Sequence, residues 1–240
     1  MTRGHLPFEE RENVTDTASP APRRAFLVSH THWDREWYLP FNRFRVHLLE
    51  VVTKVLDQLQ SDPSFRAFVL DGQSCALEDF LAAAPHERSR IEQLAAAGRL
   101  AVGPWYILPD EFLVSGEATV RNLVHGRLAA PPGGLQPVGY MPDSFGHIAQ
   151  MPQLLRLCGI DSFIFTRGLG DEAQDLGWLF RWAAPDGSEV LAANQCDGYC
   201  NAGGLGIKKI WHAHTRRRVD PDLPAASTSG GAAVREGAMA

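Results

Sequence analysis

The chain has 240 residues, 45 % of them hydrophobic, which is enough apolar material for a substantial core. Its 23 basic and 28 acidic side chains leave a formal net charge of −5, which argues against nucleic acid or an anionic membrane as the main partner. Four cysteines (Cys75, Cys158, Cys196 and Cys200) are too sparse for a disulfide scaffold, and no second close pair joins Cys196 and Cys200 in a zinc site.

Residues 1–24 are polar, rich in Thr, Ser and Pro, and hold no apolar stretch of signal-peptide length. They read as a disordered leader, and with no apolar run of about eighteen residues for a membrane span, a cytoplasmic protein is expected. The folded part is expected to open with a buried strand at 25–28. A helix follows over 43–59, where Phe44, Leu48, Val51, Val52, Val55 and Leu59 recur at spacings of three and four. Strands are expected at 68–70 and 100–103, with a helix near 77–81 and another over 85–97 closed by Gly98. A helix over 118–128, a loop at 131–134, a strand at 138–141 and a helix over 148–157 come next. The last elements are a strand at 162–165 and two at 178–182 and 189–193, joined as a hairpin around Pro185-Asp186-Gly187. Strands alternating with helices predict an α/β fold with parallel strands, a pattern that open sheets and barrels share. After about residue 215 aromatic and large apolar residues run out, so 216–240, with its basic run Arg216-Arg217-Arg218, reads as a solvated tail.

Chemistry concentrates after the strands. His30-Thr31-His32-Trp33-Asp34-Arg35-Glu36-Trp37 directly follows the first one. In extended backbone, residues two apart share a side, so His32 can converge with Asp34 or with His30. Imidazole and carboxylate suit a divalent metal such as zinc; a solvated loop with structural histidines is the plainer alternative. The segment Tyr140-Met141-Pro142-Asp143-Ser144-Phe145-Gly146-His147 also lies between a strand and a helix. Asp143 there is either a site residue or a helix N-cap. A third segment, Gly103-Pro104-Trp105-Tyr106-Ile107-Leu108-Pro109-Asp110-Glu111, sets aromatics beside carboxylates, as sugar clefts do, although Trp105 and Tyr106 also suit a core. The ends of parallel strands are where α/β proteins build active sites.

These segments resemble glycoside hydrolase family 38, the α-mannosidases. His30–Trp37 and Pro142–His147 look like its two signature segments. Pro109–Glu117 and Asp197-Gly198-Tyr199-Cys200-Asn201 resemble further segments of a bacterial branch that includes enzymes acting on mannosylglycerate. The resemblance covers 25–215 and implies the N-terminal catalytic domain of that family, an irregular (β/α) barrel, here incomplete. It implies a zinc ion that grips mannose hydroxyls, held by His32, Asp34 and Asp143, with Asp143 also the nucleophile of a retaining mechanism. Trp37, Phe145, Asp110 and Tyr199 would contact a mannose-containing carbohydrate. The general acid and a fourth zinc ligand, a histidine, lie downstream of the matched region in the family, and the surroundings of His212 and His214 do not match that late motif. The chain is therefore expected to be a truncated copy, weakly active or inactive, with 216–240 a disordered or frameshifted tail. Two alternatives are a non-catalytic metal- or sugar-binding remnant and a zinc-dependent polysaccharide deacetylase.

Overall fold

The computed structural model describes residues 26–171, 173–195 and 198–200, so the expected leader and tail, and His212 and His214, lie outside the described residues. The chain divides into two compact units, one of residues 1–109 and 114–140, the other of 110–113 and 141–240.

In the first unit, α1 (Phe41–Ser61) buries Phe44, Leu48, Val52, Leu56 and Leu59, one face of a 3.6-residue repeat. That face joins Phe80 and Leu77 of α2 (Cys75–Ala83) and Ile91 and Leu94 of α3 (Arg88–Ala96) in one core cluster. A turn of 3-10 helix at Pro85–Glu87 precedes α3, and Gly98, at φ +68°, supplies the left-handed backbone just past its end. Under this core lie β1 (Phe68–Val69) and β2 (Leu100–Ala101), paired in parallel. Single bridges extend the same order on both sides: His30 beside Val69, and Val102 beside Leu135. Four segments thus stand side by side in chain order, each reached through a crossover.

The expected buried strand at 25–28 is not formed. Phe26, Leu27 and Val28 are 86, 77 and 64 % exposed. Pairing starts only where the Val69 N–H donates to Ser29 O and the Thr31 N–H to Val69 O, at 2.9 and 3.2 Å. Because β1 begins at Phe68, the residues before Ser29 have no strand alongside them among the described residues.

Helix α4 (Gly116–Ala129) starts earlier than its apolar spacing suggests, because the Ser115 hydroxyl caps it, accepting from the Ala118 N–H at 3.2 Å. Its face at Gly126 lies almost on backbone: a Cβ there would stand 2.2 Å from Pro104 O and 2.3 Å from Trp105 C. That approach lets Asn122 accept from the Tyr106 and Ile107 N–H groups and donate to Ile107 O, at 2.8, 2.9 and 2.6 Å. The unit runs into β3 (Gly139–Met141).

The second unit holds α5 (Met151–Leu157), β4 (Ser162–Phe165), α6 (Ala173–Leu176), β5 (Leu179–Ala183) and β6 (Glu189–Asn194). The expected helix at 148–157 begins at Met151, because Pro152 fits only a first turn. The strand order is β3-β4-β6-β5, with β4 and β6 parallel and β5 and β6 antiparallel. The expected hairpin forms: Asp186 accepts from the Ser188 N–H and hydroxyl at 3.0 and 2.9 Å, and Gly187 has φ +86°. These hydrogen bonds, the Ser188 N–H foremost, hold the Asp186 carboxyl below its usual range. Neither sheet closes on itself among the described residues, and no helix among them is long and apolar enough to cross a membrane.

Cys75, at the start of α2, is buried, and burial pushes its thiol up to about 12. At pH 8 that leaves about one thiolate in 10⁴. A thiol reagent is therefore expected to label exposed Cys200 in the folded chain and to reach Cys75 only after denaturation, as read by peptide mass spectrometry.

Candidate active site

Expected site residues occur in both units. In the first, the chain leaves its bridge with β1 at His30 and runs extended through Asp34. His32 Nε2 lies 3.6 Å from Asp34 Oδ1, and the His32 side chain is 9 % exposed. That distance is too long for a hydrogen bond. It fits two donors on one small cation, since legs of about 2.0–2.2 Å in a tetrahedron put donors about 3.4 Å apart. His32 thus approaches Asp34, and the His30 ring lies edge-on to Tyr140 at 6.0 Å. Trp37, 75 % exposed, packs beside Tyr38 with ring centres 5.2 Å apart. Next to it, Arg35 grips Asp79 through two bonds of 2.7 and 2.9 Å, and this hydrogen bonding raises the guanidinium further above its ordinary value.

On the other side of His32, its Nδ1 is 3.7 Å from Oδ2 of Asp71, a residue with no solvent exposure that follows β1. Asp71 has φ +94°, a conformation that costs a non-glycine residue on the order of 1–2 kcal/mol. Its Oδ1 accepts from the Gly72 N–H at 2.7 Å. Gly72 tolerates no side chain, because a Cβ there would lie 2.5 Å from Tyr140 O.

The third expected segment splits. Trp105 is fully buried and belongs to the core of its unit. Tyr106 donates its hydroxyl to Glu78 at 2.7 Å, which pushes the phenol up to about 12.

In the second unit, Asp143 is not a helix cap: the residue ahead of α5 is Gln150, and 143–147 form an irregular turn. The turn is held at three points. Arg167, just past β4, pairs with Asp143 Oδ1 at 2.7 Å and donates to Asp143 O through Nε and Nη2 at 3.2 and 2.9 Å. Asp110 accepts the Phe145 N–H at 3.0 Å. Glu111 holds His147 Nδ1 at 2.7 Å and accepts the Ile148 N–H at 2.7 Å, while His147 Nε2 meets Arg167 O at 2.9 Å. The side chains of His147 and Glu111 are 5 and 0 % exposed. Phe145 stays 70 % exposed, with the Arg167 guanidinium 3.8 Å over its ring. Tyr199 lies half-buried in a turn after β6; Asp197 and Asn201 of its motif lie outside the described residues.

His32 and Asp34 therefore come together in the first unit, and Asp143, Phe145 and Asp110 in the second. Among the described residues, no three His, Cys, Asp or Glu side chains surround one point. Sequence reasoning did not single out Asp71, Gln73 or Arg167, and it named Glu111 only as part of a segment. Asp71 and Arg167 each stand one or two residues past a strand, the position that marks site residues in this fold class.

Residues 22–227 match the profile of the glycosyl hydrolases family 38 N-terminal domain. The chain belongs to this family. Among curated relatives of this family 38 chain, a protein of Halalkalibacterium halodurans named "Putative mannosylglycerate hydrolase" is 40 % identical over 192 residues, covering 75 % of this chain and 21 % of that protein. Human alpha-mannosidase 2C1 is 30 % identical over 176 residues, covering 68 % of this chain and 16 % of that protein. Among solved structures, an alpha-mannosidase from Enterococcus faecalis V583 superposes with a TM-score of 0.67 at 38 % identity, covering 72 % of this chain and 20 % of that one. The family 38 chain described here thus spans about a fifth of the length of these relatives. Its relatives are glycosidases, and the family makes it a glycoside hydrolase sequence with an α/β fold.

Proposed function

We propose that the chain carries the metal- and mannose-binding part of a retaining α-mannosidase and that Asp143 is its nucleophile. The observation that supports this reading most is the His32 Nε2 to Asp34 Oδ1 separation of 3.6 Å in a family 38 chain, a donor spacing that suits one divalent ion. His32 and Asp34 would hold zinc, with Asp143 as a further ligand by the family pattern. Bound there, zinc would supply Lewis-acid attraction for the vicinal hydroxyls of the sugar.

The remaining steps fall to the chain's own groups. Asp143 attacks the anomeric carbon, and the bond to the leaving oxygen breaks as a glycosyl ester forms on the carboxylate; the departing oxygen takes its proton from solvent, and water then hydrolyses the ester to release the sugar and restore Asp143. Arg167, at 2.7 Å, aims the carboxylate. By the family pattern Trp37 and Phe145 would contact the sugar, and Asp110 holds the Phe145 backbone in place. Tyr199 completes the sugar contacts by its place in the motif. The parallel succession of segments in chain order supports an irregular (β/α) barrel as the finer architecture.

No described residue is assigned as general acid, a role worth about 10²–10⁴-fold. The purified chain is therefore expected to cleave p-nitrophenyl α-mannoside slowly, to lose that turnover on chelation and to regain it with zinc. Turnover that survives both the chelator and Asp143→Asn would overturn the proposal.

A further inference from the structure

The two candidate metal donors, His32 and Asp34, flank a single residue, Trp33, and both ends of the Trp33 peptide unit are held from one neighbouring segment. The Trp33 N–H donates to Asp71 Oδ2 at 2.9 Å, and Trp33 O accepts from Gln73 Nε2 at 2.5 Å. The second N–H of the Gln73 amide closes the ring of contacts on Asp71 Oδ2 at 2.8 Å. The orientation of that amide follows from its other end: the Leu108 N–H, which can only donate, meets Gln73 Oε1 at 3.3 Å, so the nitrogen must face Trp33 and Asp71. Gln73 is 3 % exposed and Asp71 has no exposure, so neither contact competes with water. The Asp71 carboxylate also stands 3.7 Å from His32 Nδ1, where its charge favours the ring orientation that turns Nε2 toward Asp34.

We propose that Asp71 and Gln73 are positioning residues, which clamp the Trp33 peptide and so set the spacing of the His32 and Asp34 donors. The inference rests on the metal reading of His32 and Asp34 but concerns residues that are not themselves ligands. A flexible loop would have to order His32 and Asp34 on binding an ion; the clamp does so beforehand.

The test uses the full chain and zinc or cobalt alone. Zinc affinity is measured by competition with a chromophoric chelator for the unchanged protein, His32→Ala, Asp71→Asn and Gln73→Met, with circular dichroism of each metal-free protein as the fold control. Asp71→Asn keeps the shape and removes the charge; Gln73→Met keeps the length and removes the donor to Trp33 O. Each is expected to weaken zinc by about 10- to 100-fold, the range for groups that orient ligands, and to alter the visible bands of the cobalt form, which a merely structural role would leave unmoved. Should Asp71→Asn fail to fold, Gln73→Met carries the test. Variants that bind as tightly as the unchanged protein, with the same cobalt spectrum, overturn the clamp while leaving the metal reading intact. Equal binding by the unchanged protein and His32→Ala overturns the metal reading and the clamp with it.

Discussion

Glu111→Ala is expected to destabilise the second unit by about 2–4 kcal/mol, because each group left without its hydrogen-bond partner costs about 1–3 kcal/mol. The substitution would strand two groups at once. His147 Nδ1 would lose its partner at 2.7 Å, and the Ile148 N–H would lose its acceptor, also at 2.7 Å. Water cannot readily replace either contact. The imidazole is packed edge-on against Phe163, Phe165 and Trp182, with ring centres 5.2, 4.7 and 5.9 Å away. The carboxylate has a second function, because Glu111 and Asp110 are neighbours that grip the same turn at His147 and Phe145. Glu111→Gln retains an acceptor for Ile148 and is expected to cost less. Urea denaturation followed by circular dichroism would rank the two, and equal stability of Glu111→Ala and the unchanged chain would refute the pairing argument.

Gly126→Val is expected to cost about 3 kcal/mol, the upper end of overpacking penalties. The new Cβ would meet Pro104 O, Trp105 C and Tyr106 N at 2.2, 2.3 and 2.5 Å. All three are backbone atoms, so no rotamer change relieves the clash. Helix α4 would have to lift off, and the Asn122 bonds to Tyr106 and Ile107 would lengthen with it. Removing a mid-helix glycine recovers up to about 1 kcal/mol, too little to offset this. Unfolding monitored by the fluorescence of fully buried Trp105 would show the loss as an earlier midpoint, and an unchanged midpoint would contradict the close approach.

The face of α1 was legible because five buried apolar side chains recur at helical spacing, and the hairpin because Asp186 and Gly187 satisfy a local turn. Both signals lie within a few residues of chain. The failure at 25–28 has the opposite origin: an apolar run predicts burial only if a partner strand lies beside it, and β1 begins too late to provide one. The approach of His32 to Asp34 was legible because an extended backbone fixes their relation locally. Asp71 was not, since its carboxylate reaches Trp33 across 38 residues and through an unusual φ that no composition rule reveals. Arg167 was missed for the same reason, lying 24 residues from Asp143. The N-cap reading of Asp143 failed because Pro152 shifts the helix start beyond it.

The order β4-β6-β5 also constrains how the second sheet can assemble. β5 follows β4 in the chain, yet β6 lies between them and takes the parallel register Ser162↔Leu191 to Phe165↔Asn194. β5 has no template until β6 exists, whereas the turn at 184–188 brings those two together locally, on a timescale of about 1–10 μs. The pair is therefore expected to close first and dock as a unit, with alignment on β4, over the larger loop, the slower event.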